Sequence, residues 1–230
     1  MKHMHNIITI DGPAGSGKST ISRLLAKKIG FLYLDTGAMY RAVALAAKQK
    51  SISLDDAKGL QALCSAMDLR FKRDEDPPRL FLDSTDISEE IRSPEIDMLS
   101  SRVSAVREVR QAMTHLQRKM ATGMSLVAEG RDMGTVVFPE AEHKFFLIAS
   151  PEVRVERRFK ERLERGEAVT RAVVKTELKK RDHQDQSRSV APLKPAEDAK
   201  VIDSTTLTPE KVLREILDYL NMEAKAQPIK

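Results

Sequence analysis

The chain contains no tryptophan and only one cysteine, and aromatic side chains make up 4% of its 230 residues. With Cys64 alone, no disulfide can form within the chain, which excludes a disulfide-stapled secreted scaffold. No apolar run approaches the roughly 20 residues that a membrane-spanning helix needs. The opening Met1-Lys2-His3-Met4-His5-Asn6 leads straight into a predicted strand, leaving no stretch for a signal peptide. No membrane partner is therefore expected. The formal charge is +5 and the isoelectric point near 9.3, a surplus that invites a nucleic-acid reading. Against it stand the missing tryptophan, the few aromatics, the lack of a basic tail, and lysines and arginines interleaved with aspartates and glutamates. Such mixing belongs to a solvated surface. No nucleic-acid partner is expected, and a small polyphosphate ligand accounts for the surplus arginines.

What is present is a loop. Gly12-Pro13-Ala14-Gly15-Ser16-Gly17-Lys18-Ser19-Thr20 follows the apolar run Ile7-Ile8-Thr9-Ile10 and opens an amphipathic stretch. The spacing G-x-x-x-x-G-K-S at a strand-to-helix turn is that of a nucleoside-triphosphate phosphate loop. Its glycines let successive backbone N–H groups face phosphate oxygens, and the positive end of the helix dipole points the same way. Lys18 reaches the β- and γ-phosphates in such loops, and Ser19 ligates Mg²⁺. With the single cysteine, the loop points to a cytoplasmic protein. Cys64 itself reads as a small core residue.

Along the chain, five short apolar segments alternate with helical patterns: 7–11, 31–34, 125–128, 144–148 and 200–202. That alternation predicts a five-stranded parallel sheet with helices on both faces. Ile21, Leu24, Leu25 and Ile29 mark the buried face of the first helix; Val212, Leu213, Ile216, Leu217 and Leu220 mark that of the last. Residues 66–94 depart from the pattern. Leu69-Arg70-Phe71 and Leu80-Phe81-Leu82 alternate around the charged turn Asp74-Glu75-Asp76-Pro77-Pro78, predicting a small antiparallel insert. One long helix is expected from about Glu95 to Ala121, with Val103, Val106, Val109, Met113, Leu116 and Met120 inward. From Pro151 the chain is densely charged, and its segment 152–188 suits a mobile helical lid. His3, His5, His115, His143 and His183 have no ligand spacing and read as incidental.

The loop alone does not name a reaction. A guanine-reading Asn-Lys-x-Asp is excluded, because the asparagines are Asn6 and Asn221. A motor ATPase stays open, with Leu126-Val127-Ala128-Glu129 as a strand ending in a magnesium-organising acid. Three arginine clusters argue for a second phosphorylated ligand instead. Asp35-Thr36-Gly37-Ala38-Met39-Tyr40-Arg41 and Gly130-Arg131-Asp132-Met133-Gly134-Thr135 follow predicted strands, at the sheet edge where ligands bind. Arg181, Asp185 and Arg188 are spaced to share one helical face if the helix continues that far. Arginines grip phosphate oxygens in bidentate fashion and offset the repulsion between two polyanions. An acceptor phosphate can then attack in line, with no protein nucleophile.

These residues resemble the bacterial cytidylate kinase family. The likeness covers nearly the whole chain and rests on IDGPAGSGKST, LDTGAMYR at 34–41, EGRDMGTVVFP at 129–139, KRDHQDQSRSVAPL at 180–193 and VIDSTTL at 201–207. It implies the P-loop nucleoside-monophosphate kinase fold and ATP-dependent phosphorylation of CMP and dCMP, with ATP as donor and Mg²⁺ as cofactor. A core of 1–65, 95–151 and 189–230, a monophosphate-binding insert at 66–94 and a lid at 152–188 follow. The resemblance implies that Arg41, Arg131, Arg181 and Arg188 hold the acceptor phosphate, and that Lys18, Arg131, Arg181 and Arg188 carry catalysis. It implies that Ser101, Arg110 and Asp132 read the cytosine ring, that Asp185 contacts the sugar, and that Thr36 and Tyr40 line the pocket. Arg154, Arg157 and Arg158 begin the lid, with Arg158 expected on ATP. Two positions depart from the familiar pattern: Thr36 stands in place of Ser, and Glu129 in place of Asp. A kinase for another acceptor such as UMP is the related alternative. Nothing in the sequence demands more than a monomer.

Overall fold

The fold is described from a computed structural model, over residues 6–72 and 75–226. Of the expected features, His3, His5 and Asp74 lie outside these residues. The chain divides into two compact units. One comprises residues up to Leu34, Met124–Ser187 and those from Ala191 on; the other comprises Asp35–Gly123 and Arg188–Val190.

The first unit is built on a five-stranded parallel sheet. Strand β1 (Ile7–Asp11) leads through the phosphate loop into helix α1 (Lys18–Ile29), and β2 (Leu32–Asp35) follows. In the second unit come helices α2 (Thr36–Gln49) and α3 (Ala57–Ala66), then strands β3 (Leu69–Lys72), β4 (Arg79–Leu82) and β5 (Thr85–Asp86), then α4 (Pro94–Val103) and α5 (Arg107–Ala121). The chain returns through β6 (Leu126–Gly130), β7 (His143–Ile148), α6 (Pro151–Glu164), α7 (Arg171–Ser187), β8 (Lys200–Asp203) and α8 (Pro209–Ala226).

The sheet order is β2-β6-β1-β7-β8, which puts β1 at the centre. Buried on both faces, β1 and β6 are apolar apart from Thr9 and their carboxyl ends, as suits interior parallel strands. Ile8, Ile10, Val127, Phe145, Leu147 and Ile202 from the strands pack with Ile21, Leu25, Val212 and Ile216 from α1 and α8. Both helical stripes expected from periodicity contribute to this core. Register then matters for function: Asp11 lies opposite Gly130, so the loops leaving β1 and β6 emerge side by side at the carboxyl edge of the sheet.

The second unit differs from expectation in two places. A helix, α3, occupies Ala57–Ala66, where Asp56 caps the Gly59 N–H at 2.9 Å and Leu60, Leu63 and Cys64 turn inward. The helix expected over 95–121 is two helices. Serine hydroxyls explain the break: Ser100 Oγ donates to Asp97 O at 2.7 Å and Ser104 Oγ to Ser101 O at 2.8 Å, competing with the helical ladder. Val106 is extended and stands in the position before α5, with no side-chain cap. Leu116 and Met120 are only half-buried, and Gln117 takes the interior position between them. The antiparallel insert is present as β3-β4-β5, with Leu69 opposite Leu82.

Candidate active site

In the first unit the site begins at the phosphate loop. Gly12, Gly15 and Gly17 all have positive φ, at 151°, 75° and 90°. A Cβ on Gly15 would come 2.9 Å from the Arg154 carbonyl, so side chains are excluded there by space as well as by backbone conformation. The loop turns its carbonyls outward, and the cations around it accept that arrangement. Lys18 Nζ donates to Pro13 O at 3.2 Å, Arg154 Nη1 to Ala14 O at 3.3 Å, and Arg157 Nη1 to Ser16 O at 3.4 Å. Ser204 Oγ also lies 2.9 Å from Ser16 O and accepts from Arg157 Nη1 at 3.0 Å. Ala14 packs against Val174 and Leu178 of α7.

Two features of the loop fit an anionic occupant. Helix α1 starts with no side-chain cap and no acid in its first turn, whereas α2, α4 and α6 are capped by Asp35, Ser93 and Ser150. Ser16 Oγ is fully buried and has no hydrogen-bond partner. A phosphate oxygen would satisfy both.

Charges gather beside the loop. Burial pushes the Lys18 ammonium down to about 7; the Arg131 guanidinium adds to that, Glu129 and Asp185 oppose it, and Arg181 pushes the same way. Arg131 Nε pairs with Asp185 Oδ2 at 2.9 Å. Glu129 is buried at the end of β6, where its Oε1 accepts the Tyr33 hydroxyl at 2.5 Å. Asp11 is buried too, and desolvation raises its carboxyl to about 7 against the opposing pull of the Gly134 and Met133 N–H groups.

The second unit carries the remaining expected residues. Asp35 caps α2 through the Ala38 N–H at 2.9 Å, fixing the turn on which Thr36, Tyr40 and Arg41 follow. Thr36 and Tyr40 are buried. Arg41 Nε meets Asp97 Oδ1 at 3.3 Å. Arg110 is buried on the first turn of α5, its guanidinium over the Tyr40 ring at 5.5 Å. Its Nη1 donates to Ser104 O at 3.0 Å, one of the carbonyls near the helix break. Ser101 is buried near the end of α4, so it and Arg110 stand on different helices.

The structure therefore brings Lys18, Arg131, Arg181 and Asp185 together in one unit, and Tyr40 and Arg110 in the other. Asp132 belongs to the first unit, and Ser101 and Arg188 to the second. Ser19 and Thr20, on the first turn of α1, are exposed. Arg158 pairs with Glu161 at 2.8 Å. Sequence reasoning missed Asp11, Asp97, Ser204 and the use of Arg154 and Arg157 as carbonyl donors. Asp11 and Ser204 stood inside recognised motifs without a role; Asp97 had no signal beyond its place in a predicted helix.

The family model and the curated relatives agree on one family. The family model for cytidylate kinase matches residues 8–222. A cytidylate kinase from Geobacter sp. (strain M21) is 50% identical over 221 residues, covering 96% of this chain and 94% of that one. Cytidylate kinase from Vibrio cholerae is 47% identical, covering 93% and 95%. A solved structure of an uncharacterized protein from Eubacterium ventriosum aligns with TM-score 0.52 at 13% identity, over 94% of this chain and 98% of that one. At that identity the likeness concerns the fold alone.

Proposed function

The chain belongs to the cytidylate kinase family, and from that premise we propose how its own residues phosphorylate CMP and dCMP at the expense of ATP. The observation that carries the reading is the state of Lys18. Its ammonium is buried beside the phosphate loop with Arg131, Arg181, Glu129 and Asp185 around it, and burial lowers it to about 7; an anion held in the loop would restore its charge. Gly12 through Thr20 cradle the ATP phosphates through backbone N–H groups, with Lys18 on the β- and γ-phosphates. Arg41, Arg131, Arg181 and Arg188 grip the acceptor phosphate. Ser101, Arg110 and Asp132 meet the base at O2, N3 and the exocyclic amine, a set of donors and acceptors that suits cytosine. Thr36, Tyr40 and Asp185 hold the sugar and pocket wall.

With the two phosphates aligned, an oxygen of CMP attacks the γ-phosphorus in line as the bond to ADP breaks. The arginines and Lys18 offset the charge that spreads over the transferred group. The lid, 152–188 with Arg158, closes on ATP and keeps water from competing.

Mg²⁺ fits as a cofactor that arrives with ATP. Among the described residues no three His, Cys, Asp or Glu side chains gather to hold a metal, while the exposed Ser19 hydroxyl offers one ligand. Mg²⁺ takes its other ligands from phosphates and water. When bound it would supply positive charge that offsets the charge of the ATP phosphates. We place the activity in the cytoplasm, with a monomer acting on small molecules and no nucleic-acid or membrane partner. No described helix is long and apolar enough to cross a membrane.

A coupled assay of ADP formation over CMP, dCMP, UMP, AMP and GMP tests the reading. CMP and dCMP should turn over best. No ADP above background with CMP, together with hydrolysis stimulated by RNA or DNA, would replace the kinase by a nucleic-acid-dependent ATPase.

A further inference from the structure

Asp11 ends the central strand, immediately before the phosphate loop, and none of the roles above uses it. Its side chain is 4% exposed. Both carboxylate oxygens are spent on backbone 122 and 123 residues away: Oδ1 accepts the Met133 N–H at 2.9 Å, Oδ2 the Gly134 N–H at 2.8 Å. Those amides open a single π-helical turn, Met133–Val137, and first-turn amides are the ones a helix leaves unpaired. Asp132, in the capping position, makes no side-chain cap bond there. The cap comes instead from Asp11.

The turn is also pressed against the sheet. A Cβ on Gly134 would lie 3.0 Å from Thr9 Oγ1 and 3.2 Å from Lys144 Cδ. Since Asp11 lies opposite Gly130 in register, the segment Arg131-Asp132 is held at both ends: at Gly130 by the β1 ladder and at Met133-Gly134 by the Asp11 carboxylate. Only a carboxylate does this with one short side chain. Asparagine offers one oxygen, and its amide N–H₂ would face a second N–H donor.

We propose that Asp11 is a positioning residue for the acceptor: by capping the Met133–Val137 turn it fixes Arg131 and Asp132 against the start of the phosphate loop, so one buried carboxylate aligns acceptor with donor. The inference rests on the reading that Arg131 and Asp132 hold CMP. A purely structural cap would lower stability and leave nucleotide affinities in proportion; a positioning residue moves the KM for CMP selectively.

The test compares Asp11→Asn, Arg131→Ala and the core variant Ile10→Val with the full-length wild type, measuring kcat, both KM values and Tm. For Asp11→Asn we expect the KM for CMP to rise about tenfold or more while that for ATP stays within about twofold. Ile10→Val should lower Tm with both KM values unchanged. Should Asp11→Asn fail to fold, Gly134→Ala carries the test: its Cβ displaces the turn from Thr9 and should bring the same CMP-selective rise. A folded Asp11→Asn with unchanged KM for CMP, or with equal rises for both nucleotides, overturns the proposal, as does an unchanged KM for CMP in Gly134→Ala. Arg131→Ala separates the two levels. If it leaves the KM for CMP unchanged, the acceptor reading itself falls; if it raises that KM and Asp11→Asn does not, only the role of Asp11 falls.

Discussion

Arg131 and Asp185 form a hydrogen-bonded ion pair, Nε to Oδ2 at 2.9 Å, with side-chain exposures of 16% and 6%. It joins the loop after β6 to the last turns of α7. A pair this dry costs desolvation to form, but removing one partner leaves the other charge buried and uncompensated. Asp185→Ala should therefore hurt twice. It removes the sugar contact proposed for CMP and lets Arg131 swing from its place, so the kcat/KM for CMP should fall about a hundredfold or more. Steady-state kinetics with saturating ATP measure it. Near-normal kcat/KM would mean that neither role is needed.

Arg188→Ala and Asp132→Ala test two of the proposed roles separately. If Arg188 supplies charge at the transferred group, as proposed, its loss should drop kcat by about a hundredfold with both KM values less affected. If Asp132 reads the base, as proposed, its loss should weaken CMP more than ATP. Equal loss of both affinities would put Asp132 outside the base pocket, and a normal kcat for Arg188→Ala would remove Arg188 from the chemistry.

Stability without nucleotide should change with pH in two opposed windows. Lys18 is depressed from 10.5 to about 7, so between those values the unfolded chain binds more protons and stability rises with pH. Its contribution is present above 10.5 and lost as pH falls through 7. Asp11 is raised from 3.8 to about 7, so in that window the folded chain binds more protons. Its contribution is present below 3.8 and lost as pH rises through 7. Thermal melts from pH 5 to 9 should show Lys18→Met flattening the alkaline rise and Asp11→Asn flattening the acid-side fall. Parallel curves for wild type and variants would refute the burial of these charges.

Arg157 and Ser204 should act as one brace behind the phosphate loop. Arg157 Nη2 donates to Ser204 O at 2.7 Å and Nη1 to Ser204 Oγ, while both residues reach Ser16 O. Arg157→Ala and Ser204→Ala should each raise the KM for ATP several-fold and leave that for CMP alone. Their double variant should be less severe than the product of the singles, because they stabilise one carbonyl together. Strict additivity, with Ser204→Ala neutral, would instead make Arg157 a direct contact to ATP.

Much of this was legible along the chain. The G-x-x-x-x-G-K-S spacing, the five apolar segments and the stripes on α1 and α8 report on residues within one turn or one pleat of each other. The same locality explains the failures. The helix break at 104–106 depends on whether serine hydroxyls donate back to the ladder, which residue type permits but does not require. α3 is short and its stripe of Leu60, Leu63 and Cys64 too brief for a periodicity to stand out. Arg154 and Arg157, expected at the mouth of a lid, turn inward to the carbonyls of Ala14 and Ser16, and nothing in their neighbours in sequence tells an inward arginine from a solvated one.

By itself the sequence determined the donor loop, the alternating strand and helix plan, and the family. It could do so because each rests on fixed short spacings of glycine, lysine, serine and apolar side chains. Only the tertiary structure decided which charges work together. The parallel register sets Asp11 beside Gly130, carries its carboxylate to amides more than a hundred residues away, and brings Arg131 to Asp185 and Lys18 to both arginines. Burial then assigns those charges their protonation. Register and burial are properties of the packed sheet, and no stretch of the chain contains them.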